Sequence, residues 1–169
     1  MRRGVLPVLL FCAAAAGCWK SGPDPKLRLL DDILVSRNDN DPRLDRDFQG
    51  LSAETKQRFR LRYRQLAPER RNERGTIVYL LGLNLGSAAD WDFLREVVSE
   101  PPCLSLADCS RPGAASEMGD EVTLAYPALV ALRQARRAEN AAEKARVLHA
   151  AKGSRMPAVR RLVERLERE

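Results

Sequence analysis

Apolar residues return along most of this chain every three or four positions, the spacing that places them on one face of an α-helix. Leu27, Leu30, Ile33 and Leu34 form a first stripe, and Phe59, Tyr63 and Leu66 a second. Ile77, Leu80 and Leu81 begin a third, and Trp91, Leu94 and Val98 a fourth. A fifth runs through Val122, Ala125, Leu129 and Leu132, a weaker sixth through Ala141, Ala145 and Leu148, and a seventh through Val159, Leu162, Val163 and Leu166. No comparable segment alternates with period two, so the pattern predicts an all-α protein.

The polar punctuation fits the same reading. Ser52 and Ser87 stand where a side-chain oxygen can accept from the unpaired amides of a first helical turn. Asp41 followed by Pro42 predicts a capped helix start, because proline tolerates the first helical position, and Pro68 predicts the end of one helix and the start of the next. Gly86, Gly113 and Gly153 mark breaks. Pro127 falls inside the fifth stripe and implies either a kink or a helix start preceded by a shorter turn.

The first residues follow a different logic. Arg2 and Arg3 precede an uncharged, mostly apolar run from Val5 to Gly17, a positively charged leader followed by an export segment. Those residues are too few to span a bilayer, which takes roughly 20 apolar residues at about 1.5 Å each. Ala15, Ala16 and Gly17 supply the small side chains that a signal peptidase needs, directly before Cys18. This layout resembles the lipobox of bacterial lipoproteins. The resemblance implies removal of residues 1–17, a diacylglyceryl thioether on Cys18, and a lipidated tether over residues 18–25. A single helical domain over residues 26–169 would follow. Trp19 is not the aspartate that retains enteric lipoproteins at the inner membrane, so the expected location is the outer membrane, facing the periplasm.

Processing of this kind changes what the four cysteines mean. Cys12 leaves with the signal, Cys18 carries lipid, and Cys103 and Cys109 remain. In an oxidising compartment a disulfide between those two is expected, with free thiols as the alternative. Zinc is disfavoured, since a structural site usually takes four Cys or His ligands and the chain has one histidine, His149.

Two further segments, DPRLDRDF (Asp41 to Phe48) and MPAVRRLVERL (Met156 to Leu166), resemble the helix openings of HEAT-like repeats. Antiparallel helical hairpins stacked as a short superhelix are what that resemblance implies. An irregular helical bundle is the alternative.

Charge adds a pattern more informative than its sum of +6. Residues 52–75 carry +5, residues 90–121 carry −6, and residues 133–169 carry +6. Within the first block, RFRLRYRQLAPERRNER places Arg58 and Arg62 in one helical row and Arg60 and Arg64 in another, flanking Phe59 and Tyr63. With Arg70 and Arg71 these form a candidate surface for an anionic polymer or a protein partner. The alternative is an amphipathic helix whose arginine stems cover the edge of the core, with the acidic block neutralising the basic rows.

Other chemistries find little support. One histidine removes most Ser/His/Asp, Cys/His and multi-histidine metal arrangements, and His149 fits a helix end. Gly82 and Gly86 lack the lysine of a phosphate-binding loop and fit close helix contact or a helix end. A calcium loop starting at Asp39 would put Arg43, Leu44 and Gly50 at positions that need an oxygen ligand, a glycine and a glutamate. Asp90 and Asp92 fit the first turn of a helix, where negative charge complements the macrodipole. No catalytic residue, metal or cofactor is expected, and an exported chain is a poor candidate for binding nucleic acid. The expected function is a lipid-anchored interaction or scaffold protein of the cell envelope. A carboxylate-dependent hydrolase and an accessory subunit of a membrane-associated complex are the alternatives. A concave pocket holding at least two carboxylates near arginine would favour the hydrolase.

Overall fold

The structure is a computed structural model that describes residues 24–115 and 119–168. The leader, Cys18 and most of the tether lie outside the described residues. The fold is all-α: α1 (Pro25–Ser36), α2 (Arg43–Arg46), α3 (Ala53–Gln65), α4 (Arg71–Gly82), α5 (Ala88–Val98), α6 (Glu121–Leu124), α7 (Tyr126–Arg137), α8 (Ala141–Lys152) and α9 (Pro157–Arg168). Among the described residues no helix is long and apolar enough to cross a membrane.

Local chemistry explains most of the boundaries. Ser52 caps α3 by accepting the Thr55 amide at 3.1 Å, and Asp24 caps α1 by accepting the Lys26 amide at 2.9 Å. Asp41 accepts the Arg43 amide at 2.9 Å, but the helix it opens is the single turn α2. Pro68 does not open α4. It sits in a turn, and α4 begins three residues later at Arg71. Pro127 causes no kink, because the backbone breaks before it: α6 ends at Leu124 and α7 starts at Tyr126, with proline in the tolerant first turn.

The core forms where α7 crosses the middle of the molecule and packs against α4, α5, α8 and α9. Eight of its twelve residues are buried. On the other side of α4, Phe48 meets Phe59 at 5.9 Å between ring centroids, and Tyr63 meets Phe93 edge-on at 5.0 Å. Two of the expected stripes need correction. Val122 is exposed, since it belongs to α6 rather than to the face of α7. In α8 the buried residues are Val147 and Ala151, while Ala141 and Ala145 face outward.

Two glycines set the closeness of α4 and α7. A Cβ on Gly75 would lie 2.3 Å from the Tyr126 ring, and one on Gly82 would lie 2.3 Å from the Gln134 side chain. Seven residues apart, they fall on one face of α4 and let side chains of α7 rest on its backbone.

Candidate functional site

The arginine rows of α3 turn out to be joined to carboxylates of the chain itself. Arg58 donates to Glu54 at 2.6 Å one turn earlier, and Arg62 reaches Asp31 on α1 at 2.8 Å. Arg64 grips both oxygens of Glu96 on α5, at 2.8 and 2.6 Å. Arg60 donates to Asp90 Oδ1 at 2.9 Å.

Asp90 is the anchor of this network, with a fully buried side chain. Its Oδ2 accepts from Lys56 Nζ at 2.5 Å, from the Ser87 amide and hydroxyl at 2.9 Å each, and from the Gly86 amide at 3.1 Å. Burial alone would raise its pKa, but the Lys56 ammonium and the Ser87 donors hold it below the ordinary carboxylate value. A carboxylate so fully engaged fixes α3 against α5.

A second buried group lies at the other end of α5. The Arg74 guanidinium sits 4.1 Å from the Tyr63 ring centroid and donates to Glu100 at 2.6 Å. Burial pushes the Glu100 carboxyl upward, with Arg74 opposing.

Arg70 and Arg71 part company. Arg70 donates to Glu73 at 2.7 Å on the near side of α4. Arg71 is buried beneath the loop that follows α5, where Cys103 and Cys109 form a disulfide with 2.07 Å between sulfurs. Its guanidinium donates to the carbonyls of Leu106 at 3.1 Å and Ser105 at 3.5 Å, and faces both sulfurs. Glu69 closes the other side of the loop by accepting the Cys109 amide at 2.7 Å, a bond that lowers the Glu69 pKa.

What sequence reasoning missed is a polar cleft on the opposite side of α4, in two adjoining parts that share Asp39 and Thr76. The larger, about 400 Å³, has one wall made of the segment from Asp39 to Asp45 that carries α2. Thr76 and Tyr79 of α4 contribute to it. The facing wall is α7, through Tyr126, Val130, Arg133, Gln134 and Arg137, positions that recur on a single helical face. The smaller part, about 320 Å³, runs between the end of α1 and the start of α4, with Arg37, Arg70 and Glu73 among its lining.

The charges of the cleft divide by wall. Asp41 is clamped by Arg43, Nε at 2.9 Å and Nη2 at 2.6 Å, and that bonding depresses its pKa to about 2. Asp45 accepts from the Tyr79 hydroxyl. The Asp39 side chain has no hydrogen bond or ion pair among the described residues; it is exposed, and partial desolvation, with Glu73 nearby, pushes its pKa upward. Across from it, the side chains of Arg133 and Arg137 likewise have no hydrogen bond or ion pair among the described residues. Between these groups stands Tyr126, half-buried, its phenol raised first by burial and then by Asp39, with Arg133 pulling the other way. The Arg133/Arg137 spacing in LRQARR was the one signal in the sequence. Gly82 fits close helix contact in the sequence and is the seat of Gln134, but its partner, and the seat of Tyr126 on Gly75, had no signal, because they join positions far apart in the chain.

Among the described residues no three His, Cys, Asp or Glu side chains converge as a metal-holding group. Compared with known proteins, the chain matches no family, no curated protein and no solved structure.

Proposed function

We propose that the protein is a lipid-anchored interaction domain of the cell envelope, tethered through an acylated Cys18 at the outer membrane and exposed to the periplasm. The observation that carries this reading is a coincidence of two features. A lipobox-like start ends at Cys18, and the two cysteines that survive its processing are joined as a disulfide, the state an oxidising compartment maintains. Two acyl chains suffice for stable anchoring, since each buried CH₂ contributes about 0.8 kcal/mol. The HEAT-like opening at Met156, which starts α9, supports a scaffold role, as stacked helices commonly present extended binding surfaces, whereas the one at Asp41 opens only the single turn α2.

The binding face is the cleft between α2 and α7. On α3 the arginine heads are held by carboxylates of the chain, whereas Asp39, Arg133 and Arg137 point charge into a concave space without such partners. A photo-crosslinking side chain at Asn40, in the cleft, and another at Leu61, on exposed α3, test this in intact cells. Adducts are expected from position 40 and to weaken in Cys18→Ser. Adducts from position 61 alone would put the face on the arginine row, and none from either would remove the interaction reading.

One observation favours a second reading, hydrolysis by carboxylates. Among the acids of the cleft, Asp39 and Asp41 lie near arginine and their ionisation is pushed in opposite directions. Release of soluble fragments from isolated cell-wall material, lost in Asp39→Asn, would support it. No release would dismiss it.

A further inference from the structure

The two walls of the larger cleft carry opposite charge, and this restricts what can enter. A polyanion drawn to Arg133 and Arg137 would meet Asp39 and Asp45 across the gap, Asp41 being paired with Arg43, and a polycation would meet the arginines. A ligand carrying one charge of each sign satisfies both walls. The space between them is apolar in part, with Pro42 and Leu44 on one side and Val130 and the Tyr126 ring on the other.

Dimensions narrow the class further. From Tyr126, which feels Asp39, to Arg133 is about 10 Å along α7 at 1.5 Å per residue. Three residues of extended peptide span about 10 Å. A space of about 400 Å³ is also within the ordinary range for small-ligand sites.

We propose that this cleft binds a zwitterionic short peptide with free ends, its carboxylate held by Arg133 and Arg137 and its ammonium by Asp39. Two guanidinium groups one helical turn apart offer several donors to a carboxylate. Tyr126, fixed in place by its seat on Gly75, supplies a rigid surface for the peptide between its ends. The proposal rests on the cleft being the domain's binding face and adds the chemical class of its ligand.

Titration calorimetry of the full chain in detergent, with trialanine as the probe, tests it. N-acetyl-trialanine, trialanine amide and inorganic phosphate serve as the comparison arms. Saturable trialanine binding is expected, weakened at least tenfold by blocking either end. Arg133→Gln/Arg137→Gln should make the free acid and the amide bind alike, and Asp39→Asn should do the same for the free and acetylated amines. These side chains are on the surface, so the variants should keep the helical circular dichroism of the parent. Absence of trialanine binding, indifference to blocking, or phosphate binding as tight as trialanine would each overturn the proposal. Crosslinking from position 40 alongside any of these results would leave the interaction reading standing and remove only the peptide.

Discussion

Lys56 and Asp90 form a buried ion pair, Nζ to Oδ2 at 2.5 Å, that ties the first turn of α3 to the first turn of α5. Arg60 adds a second cation to the same carboxylate, and Asn84 O gives Lys56 another acceptor at 3.0 Å. Removing one partner from such a site leaves charge buried without its counterpart, a loss of about 3 kcal/mol or more.

Asp90→Asn should therefore lower the free energy of unfolding by roughly 3 kcal/mol in urea titrations near neutral pH. Its pH dependence follows from the depressed folded-state pKa. The contribution of Asp90 is fully present above the ordinary value of 3.8 and is lost as pH falls below that through the folded-state value. Asn at this position should flatten that part of the acid limb. An unchanged acid limb would show that other carboxylates govern it.

The arginines of α3 should differ in cost according to burial. Arg60→Gln breaks a charge-assisted bond to a buried carboxylate and should destabilise by about 2 kcal/mol. Arg64→Gln breaks a half-exposed pair with Glu96 and should cost under about 1 kcal/mol, less in high salt. Equal costs would mean that the network does not distinguish them.

Gly75→Ala would raise helix propensity on an ordinary helix, yet here the added Cβ meets the Tyr126 ring. The substitution should destabilise by about 1 to 3 kcal/mol, the usual range for overpacking. In the background of Tyr126→Ala the same change should become neutral or stabilising, and thermal unfolding of the four members of the cycle measures it.

Closing the loop from Cys103 to Cys109 contributes about 2 kcal/mol on the chain-entropy estimate for a short loop. Cys103→Ser/Cys109→Ser should lose about that much. The cost of Arg71→Met should then be smaller than in the intact protein, because the carbonyls that Arg71 binds are held in place by the bridge. Additive losses would show that the loop keeps its shape without the disulfide.

The helices were legible in sequence because their causes are local. The stripe through Phe59 and Tyr63, the cap at Ser52 and the restart at Pro127 each depend on neighbours within a turn or two. The face of α8 was not legible. Its small alanines give weak amphipathicity, and contacts with α5, α7 and α9 choose Val147 and Ala151 instead. The arginine rows could be seen, and the acidic block of residues 90–121 as one source of counter-charge, but not the individual pairs, since Arg60 and Arg64 meet acids of α5 that lie 30 and 32 residues away. The cleft was least visible of all, because it exists only once α7 has settled on the two glycines of α4 and the segment of α2 has folded opposite.

The anchor is the central claim, and the intact mass of the mature N-terminus in membrane-extracted protein tests it most directly. A chain beginning at Cys18 with acyl groups attached is the expected result. A mature terminus at any other residue, or an unmodified Cys18, would contradict it.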